Sequence, residues 1–263
     1  MTILGYIAAL FIGISLGLIG GGGSILTVPV MVYLFGTSPL LATSYSLFIV
    51  GTTSLVGAFK NYRKGLVNFR TALYFGSSSI ATVFFTRKLI IPRIPTVLFT
   101  VGSLVVTEAM FTMTLFALLM LAASYSMIRK RKLKVDIATS ETETWKVIFY
   151  GILIGLVTGM LGAGGGFLII PTLVLIMKLP MKMAVGTSLL IIAVNSLIGF
   201  TADLGHFILD WKLLTEVTLI AITGLVVGSS FSERIEGEKL KKGFGWFVLG
   251  MGIIILVKEL SML

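Results

Sequence analysis

Two glycine clusters carry the strongest chemical signal in the sequence, G-G-G-G-S at 20–24 and G-A-G-G-G at 162–166. Glycine lets a backbone leave helical geometry and lets another group approach closely. Each cluster precedes a short apolar segment. A helix starting there turns its unsatisfied N–H groups and the positive end of its dipole into apolar surroundings, a setting that suits an anion. The candidate binding groups are the backbone N–H donors around Gly22, Gly23 and Ser24 and around Gly164, Gly165 and Gly166. Hydroxyl-rich runs follow, A-T-S-Y-S at 42–46 and A-V-G-T-S at 184–188. They supply Thr43, Ser44, Ser46, Thr187 and Ser188, which can hydrogen-bond an oxyanion without a fixed charge. Asn195 is a further polar candidate. The competing readings are structural: small residues permit tight helix packing, and hydroxyls cap helices or bond to their backbone.

Ionisable groups inside apolar runs are functional candidates because charge is costly in hydrocarbon. Glu108 lies deepest in its run. Asp203 and His206 close another and are candidates, with Glu108, for coupling through a proton relay; a solvated loop pair is their plainer reading. Glu216 sits nearer a segment end, as an interfacial carboxylate does. Without cysteine and with one histidine, the chain cannot form a disulfide, a thiolate or multi-histidine metal site, or a thiol nucleophile. A membrane-embedded enzyme would need a nucleophile with a base or a multi-ligand metal, so it fits poorly. No catalytic residue, metal or cofactor is expected.

These groups need elements to hold them. The chain has 263 residues, 56% hydrophobic and 12% charged, which is too apolar for a water-solvated domain. No charged side chain precedes Lys60, and further uncharged runs cover 71–86, 94–107, 109–128, 147–177, 183–202, 217–232 and 243–257. About 20 apolar residues at ~1.5 Å rise cross a hydrocarbon core of ~30 Å, so these runs predict transmembrane helices. A membrane β-barrel would alternate polarity along each strand; these runs do not. The first segment lacks a basic leader and is expected to be retained. The net charge of +10 sits in short loops between apolar runs, which marks topology determinants rather than a nucleic-acid surface.

The chain also repeats. At a gapless offset of 142, fifteen of the forty-five residues in 13–57 are identical to their counterparts. Gly20 pairs with Gly162, Gly22 with Gly164, Gly23 with Gly165, Pro29 with Pro171, Ser46 with Ser188 and Ser54 with Ser196. Shared glycines and a shared proline at one offset indicate duplication. The expected organisation is a first transmembrane repeat at 1–128, a basic and polar cytoplasmic linker at 129–144 and a second repeat at 145–263. Each half reads as five apolar segments: 3–19, 24–35, 40–59, 70–87 and 95–128, then 145–161, 166–178, 181–202, 213–231 and 243–260. The second of each is too short to cross and is expected to be re-entrant or part of a broken helix.

Equivalent loops differ in charge, as inverted repeats require. The first carries Lys60, Arg63, Lys64 and Arg70, whereas its counterpart carries Asp203, His206, Asp210 and Lys212. The turn at 36–40 is uncharged, and its counterpart holds Lys178 and Lys182. Placing the first loop, the linker with the adjoining Lys146, 232–242 and these two lysines in the cytoplasm puts sixteen of twenty-one basic residues inside and both termini outside. Arg87, Lys88 and Arg93 then fall outside, where they line an entrance for anions or count against the scheme. The fold class expected is therefore an all-α polytopic membrane protein of two inverted repeats.

The elements G-x-G-G-G-x-L-x-x-P, present at 162–171 with a variant at 20–29, and A-V-G-T-S complete the pattern. With Y-R-K-G-L-V-N-F from Tyr62 and H-F-I-L-D-W from His206, the chain resembles the sulfite exporter TauE/SafE family of bacterial permeases over essentially its whole length. The resemblance implies an inner-membrane exporter of a sulfur-containing anion such as sulfite or an organosulfonate, with that anion and the lipid bilayer as its partners and no nucleic acid. The sequence carries no nucleotide-binding motif, so a gradient is expected to drive transport. An anion channel of the same fold is the alternative. At constant offset Thr43 and Ser44 pair with Val185 and Gly186, so Ser46 and Ser188 alone keep a shared hydroxyl in this stretch.

Overall fold

The computed structural model describes residues 2–95, 97–101, 104–128, 144–162, 164–231 and 237–261. Residues 129–143, nearly all of the expected linker, and 232–236 lie outside the described residues. The first half contains α1 (Thr2–Ile19), α2 (Ser24–Tyr33), α3 (Pro39–Arg63), α4 (Phe69–Phe85) and α5 (Glu108–Ile128). The second contains α6 (Thr144–Leu161), α7 (Gly166–Leu175), α8 (Met181–Asp203), α9 (Trp211–Phe231) and α10 (Gly237–Leu260). Among the described residues, α3, α5, α8 and α9 are each long and apolar enough to cross a bilayer. The ten-residue α2 and α7 reach only ~15 Å, half a hydrocarbon core.

One expected segment divides. Residues 95–128 do not form a continuous helix: β1 (Val97–Val101) pairs antiparallel with β2 (Leu104–Thr107), Val97 opposite Thr107, and α5 follows. The β-branched residues concentrated there favour extended backbone over helix. Before this ribbon, α4 runs into a π-helical turn (Thr86–Ile90) and a 3-10 turn (Ile91–Arg93). Pro92 cannot donate to a continuing ladder.

The helices pair in a pattern that the offset of 142 reproduces. α1 runs beside α9 and its counterpart α6 beside α4, while α3 packs on α8 and α5 on α10. A Cβ on Gly13 would fall 1.9 Å from the Ala221 carbonyl oxygen, and one on its counterpart Gly155 would fall 2.7 Å from that of Ser79. Small residues allow these helices to touch along their backbones, the main source of helix adhesion where surrounding lipid is as apolar as the interface. α3 and α8 run antiparallel: Gly186 lies against Asn61 and Leu66, Gly51 against Leu197, and Gly199 against Leu47. Large apolar side chains such as Phe11, Leu118, Phe149, Leu219 and Ile254 face outward, as lipid-facing positions must. Many hydroxyls are turned inward.

Candidate functional site

The glycine clusters end α1 and α6 in the same way. Gly20 and Gly162 take left-handed backbone at φ 79° and 65°, and their N–H groups close the preceding helices on Leu16 and Thr158. The chain then doubles back into α2 and α7, and the two breaks meet. A Cβ on Gly21 would sit 2.8 Å from the Gly166 Cα, and one on Gly166 would sit 2.5 Å from the Gly21 Cα. Gly164 lies beside Val50 of α3 and Ser196 of α8, with its Cβ position 3.1 Å from the Ser196 Oγ. First-turn donors of both short helices are thus enclosed in the protein, since residues 20–31 are buried and Gly164, Gly165 and Gly166 with them.

The individual glycines do different things. Gly22 is buried within the first break. Gly23 faces α1, its Cβ position 2.2 Å from the Ser15 Oγ and 2.4 Å from the Ile12 carbonyl oxygen; its task is to let α2 lie against α1. Gly165 similarly abuts Thr158 of its own half, at 1.9 Å from Cγ2. Ser24 closes its own turn, donating to the Gly21 carbonyl at 2.8 Å.

The hydroxyls divide as well. Thr43 donates to the Leu40 carbonyl at 2.7 Å, and Ser188 to the carbonyls of Val185 at 2.8 Å and Gly20 at 3.2 Å. Thr187 Oγ1 accepts from the Asn68 N–H at 2.9 Å, tying the start of α4 to α8. Ser46, in contrast, is fully buried with no hydrogen-bond partner among the described residues, and the equally buried Ser44 lies against the Asp203 carboxylate. Asn195 donates through Nδ2 to the Ser79 Oγ at 2.6 Å, leaving Oδ1 without a partner.

Four residues join these that were not singled out from sequence: Thr27, Thr53, Ser54 and Ser196, all fully buried and without a partner among the described residues. Thr53 and Ser54 occupy on α3 the positions that Asn195 and Ser196 occupy on α8. The repeat held this signal: a polar pair recurs at the same place in the middle of two apolar helices. A buried hydroxyl left unsatisfied costs ~1–3 kcal/mol, so these hydroxyls, of which Ser196 lies at the second glycine break, are suited to a polar guest.

Charged groups converge nearby. Glu108, Asp203 and His206, named separately from sequence, line one cleft of about 230 Å³ together with Arg87, Leu40 and Ile91. Asp203 is not a solvated loop residue: it is 3% exposed and bridges to the fully buried Arg87, Nη1 to Oδ2, at 2.8 Å. Arg87 sits in the π-helical turn after α4, a local widening that re-aims side chains. Lys88 and Arg93 are exposed, and His206 is exposed on the rim. Outside the cleft, Glu216 accepts from the Tyr6 hydroxyl, and Glu259 from the Tyr33 hydroxyl at 3.0 Å.

A family model described as sulfite exporter TauE/SafE matches residues 5–255 of the chain. A protein of Xylella fastidiosa named as a probable membrane transporter protein is 30% identical over 251 residues, which are 93% of this chain and 91% of that protein. The probable membrane transporter protein YdhB of Bacillus subtilis is 28% identical over 93% of this chain and 96% of its own length. YjnA of the same organism, named in the same way, is 24% identical over the full length of both. No solved structure matches significantly.

Proposed function

The chain belongs to the sulfite exporter TauE/SafE family, and from that premise we propose a secondary carrier that exports a small sulfur-containing anion, sulfite or an organosulfonate, across the bacterial inner membrane. The observation that carries this reading is the backbone contact between Gly21 and Gly166, which brings the positive ends of two half-length helices together, with the unpartnered Ser196 hydroxyl of α8 at the second break. Main-chain donors, with Ser44, Ser46, Thr53, Ser54, Asn195 and Ser196, then surround the anion. Recognition without a fixed charge favours release as well as capture. Asn195 contributes donors if Ser79 donates to its amide oxygen instead of accepting from its nitrogen, an exchange the hydroxyl permits.

The halves are read as inverted repeats. The antiparallel course of α3 and α8, which correspond at the 142-residue offset, supports this. A twofold axis that exchanges antiparallel helices lies across them, in the membrane plane, where transporters of this design keep their substrate. The charge bias of the loops then sets both termini outside.

Proteoliposomes loaded in turn with sulfite, sulfate, thiosulfate and sulfoacetate test the reading. Saturable flux with counterflow of at least one sulfur anion is expected. Flux that rises linearly with concentration and shows no counterflow would make the protein a channel, and absence of flux for all four would remove the substrate class.

A further inference from the structure

We propose that Arg87 is an oxyanion-binding residue at the floor of the cleft, taking two oxygens of a sulfonate or sulfite on its Nε–Nη2 edge while Asp203 holds Nη1. A guanidinium has two forked edges, each matched to a pair of oxygens on one anion. Asp203 occupies Nη1 at 2.8 Å. Among the described residues, Nε and Nη2 have no hydrogen-bond partner, although Arg87 is fully buried. A structural ion pair would be expected to bond these donors too, because a buried guanidinium gains most when all its N–H groups are satisfied. The free edge also faces the second glycine break. Nη2 is 2.6 Å from the Cβ position of Gly162, the first residue of the second glycine break, while the other side of Arg87 borders the cleft with Glu108 and His206. Arg87 therefore stands between the open cleft and the helix starts, and the missing side chain at Gly162 makes room for its head.

The offset of 142 shows that this device is confined to one mouth. Arg87 corresponds to Ser229 and Asp203 to Asn61. At the equivalent place, the Lys60 ammonium reaches the Ser229 hydroxyl at 2.7 Å. A point-charge cation thus serves one mouth and a fork the other, and only the fork selects for paired oxygens.

The test uses the full-length chain in proteoliposomes, with ethanesulfonate as the probe and chloride, which has no oxygens to pair, as the comparison. Arg87→Lys keeps a cation for Asp203 and removes the fork. The expected result is a loss of ethanesulfonate affinity of about tenfold or more, the worth of one charged hydrogen bond, with chloride little affected. Arg87→Ser combined with Asp203→Asn removes both charges together and is expected to lose the same affinity. Unchanged ethanesulfonate affinity in either variant, with wild-type thermal stability in detergent, overturns the proposal.

A further measurement leaves the ion pair intact. Because the chain has no cysteine, His206→Cys places one thiol on the cleft rim. Ethanesulfonate should slow its modification by a maleimide where chloride does not, and equal rates overturn the proposal. The inference rests on the transport reading above, yet the two fail differently. Arg87-dependent binding of ethanesulfonate without flux of any sulfur anion would remove the transport reading and keep the site, whereas flux and affinity untouched by Arg87→Lys would do the reverse.

Discussion

At residue scale, similar side chains have opposite roles, and stability and transport measured together separate them. Ser46 and Ser196 are buried without partners, so Ser46→Ala and Ser196→Ala remove an unsatisfied hydroxyl. They should leave thermal stability unchanged or raise it by up to ~1 kcal/mol while weakening anion affinity about tenfold. Thr187 holds the Asn68 N–H, so Thr187→Val should instead lower stability by ~1–3 kcal/mol through the donor it leaves unpaired. If Ser46→Ala and Ser196→Ala transport as the wild type does, these hydroxyls do not bind the substrate. Hydroxyls at helix starts were legible in the sequence as candidates. Their division into bonded and free was not, because it depends on partners such as Gly20 for Ser188, 168 residues away.

At the scale of elements, the decisive contact is between a turn and a helix start rather than along two helices. Gly21 and Gly166 touch through their backbones, so Gly21→Val or Gly166→Val forces the short helices apart. Loss of saturable flux is expected, with a cost in stability of ~1–3 kcal/mol, as for other overpacked sites. Gly17→Val strikes α9 instead. It should destabilise comparably whether or not the binding site is as proposed, and so serves as the control for packing. Flux that survives Gly166→Val in a stably inserted protein would count against the convergence of helix starts as the binding site. The glycine clusters, their duplication and the short segments that follow were readable from sequence, since glycine and length both constrain backbone directly. The ribbon at β1 and β2 was concealed, because a mean apolar run does not distinguish strand from helix.

For the whole molecule, the relation between halves makes a topological prediction. Lys64 and His206 correspond at the 142-residue offset, and inverted repeats put them on opposite sides of the membrane. In the cysteine-free chain, Lys64→Cys should be shielded from a membrane-impermeant maleimide in intact cells and His206→Cys labelled. Labelling of both from one side would refute inversion. The same offset links the α1–α9 seam to the α4–α6 seam, so Gly13→Val and Gly155→Val should each lower thermal stability, by ~1–3 kcal/mol.

The sequence by itself carried the apolar runs of a membrane protein, a repeat at an offset of 142 and the glycine clusters at which α1 and α6 end. Each follows from hydropathy, repetition or glycine, properties that act along the chain. Tertiary structure alone decided that Gly21 meets Gly166 and that Arg87 meets Asp203, 116 residues further on. It likewise gathered Glu108, Asp203 and His206 at one cleft. Such pairings depend on how α3 and α8 cross and on a π-helical turn that redirects one side chain, and neither leaves a periodic trace in the sequence.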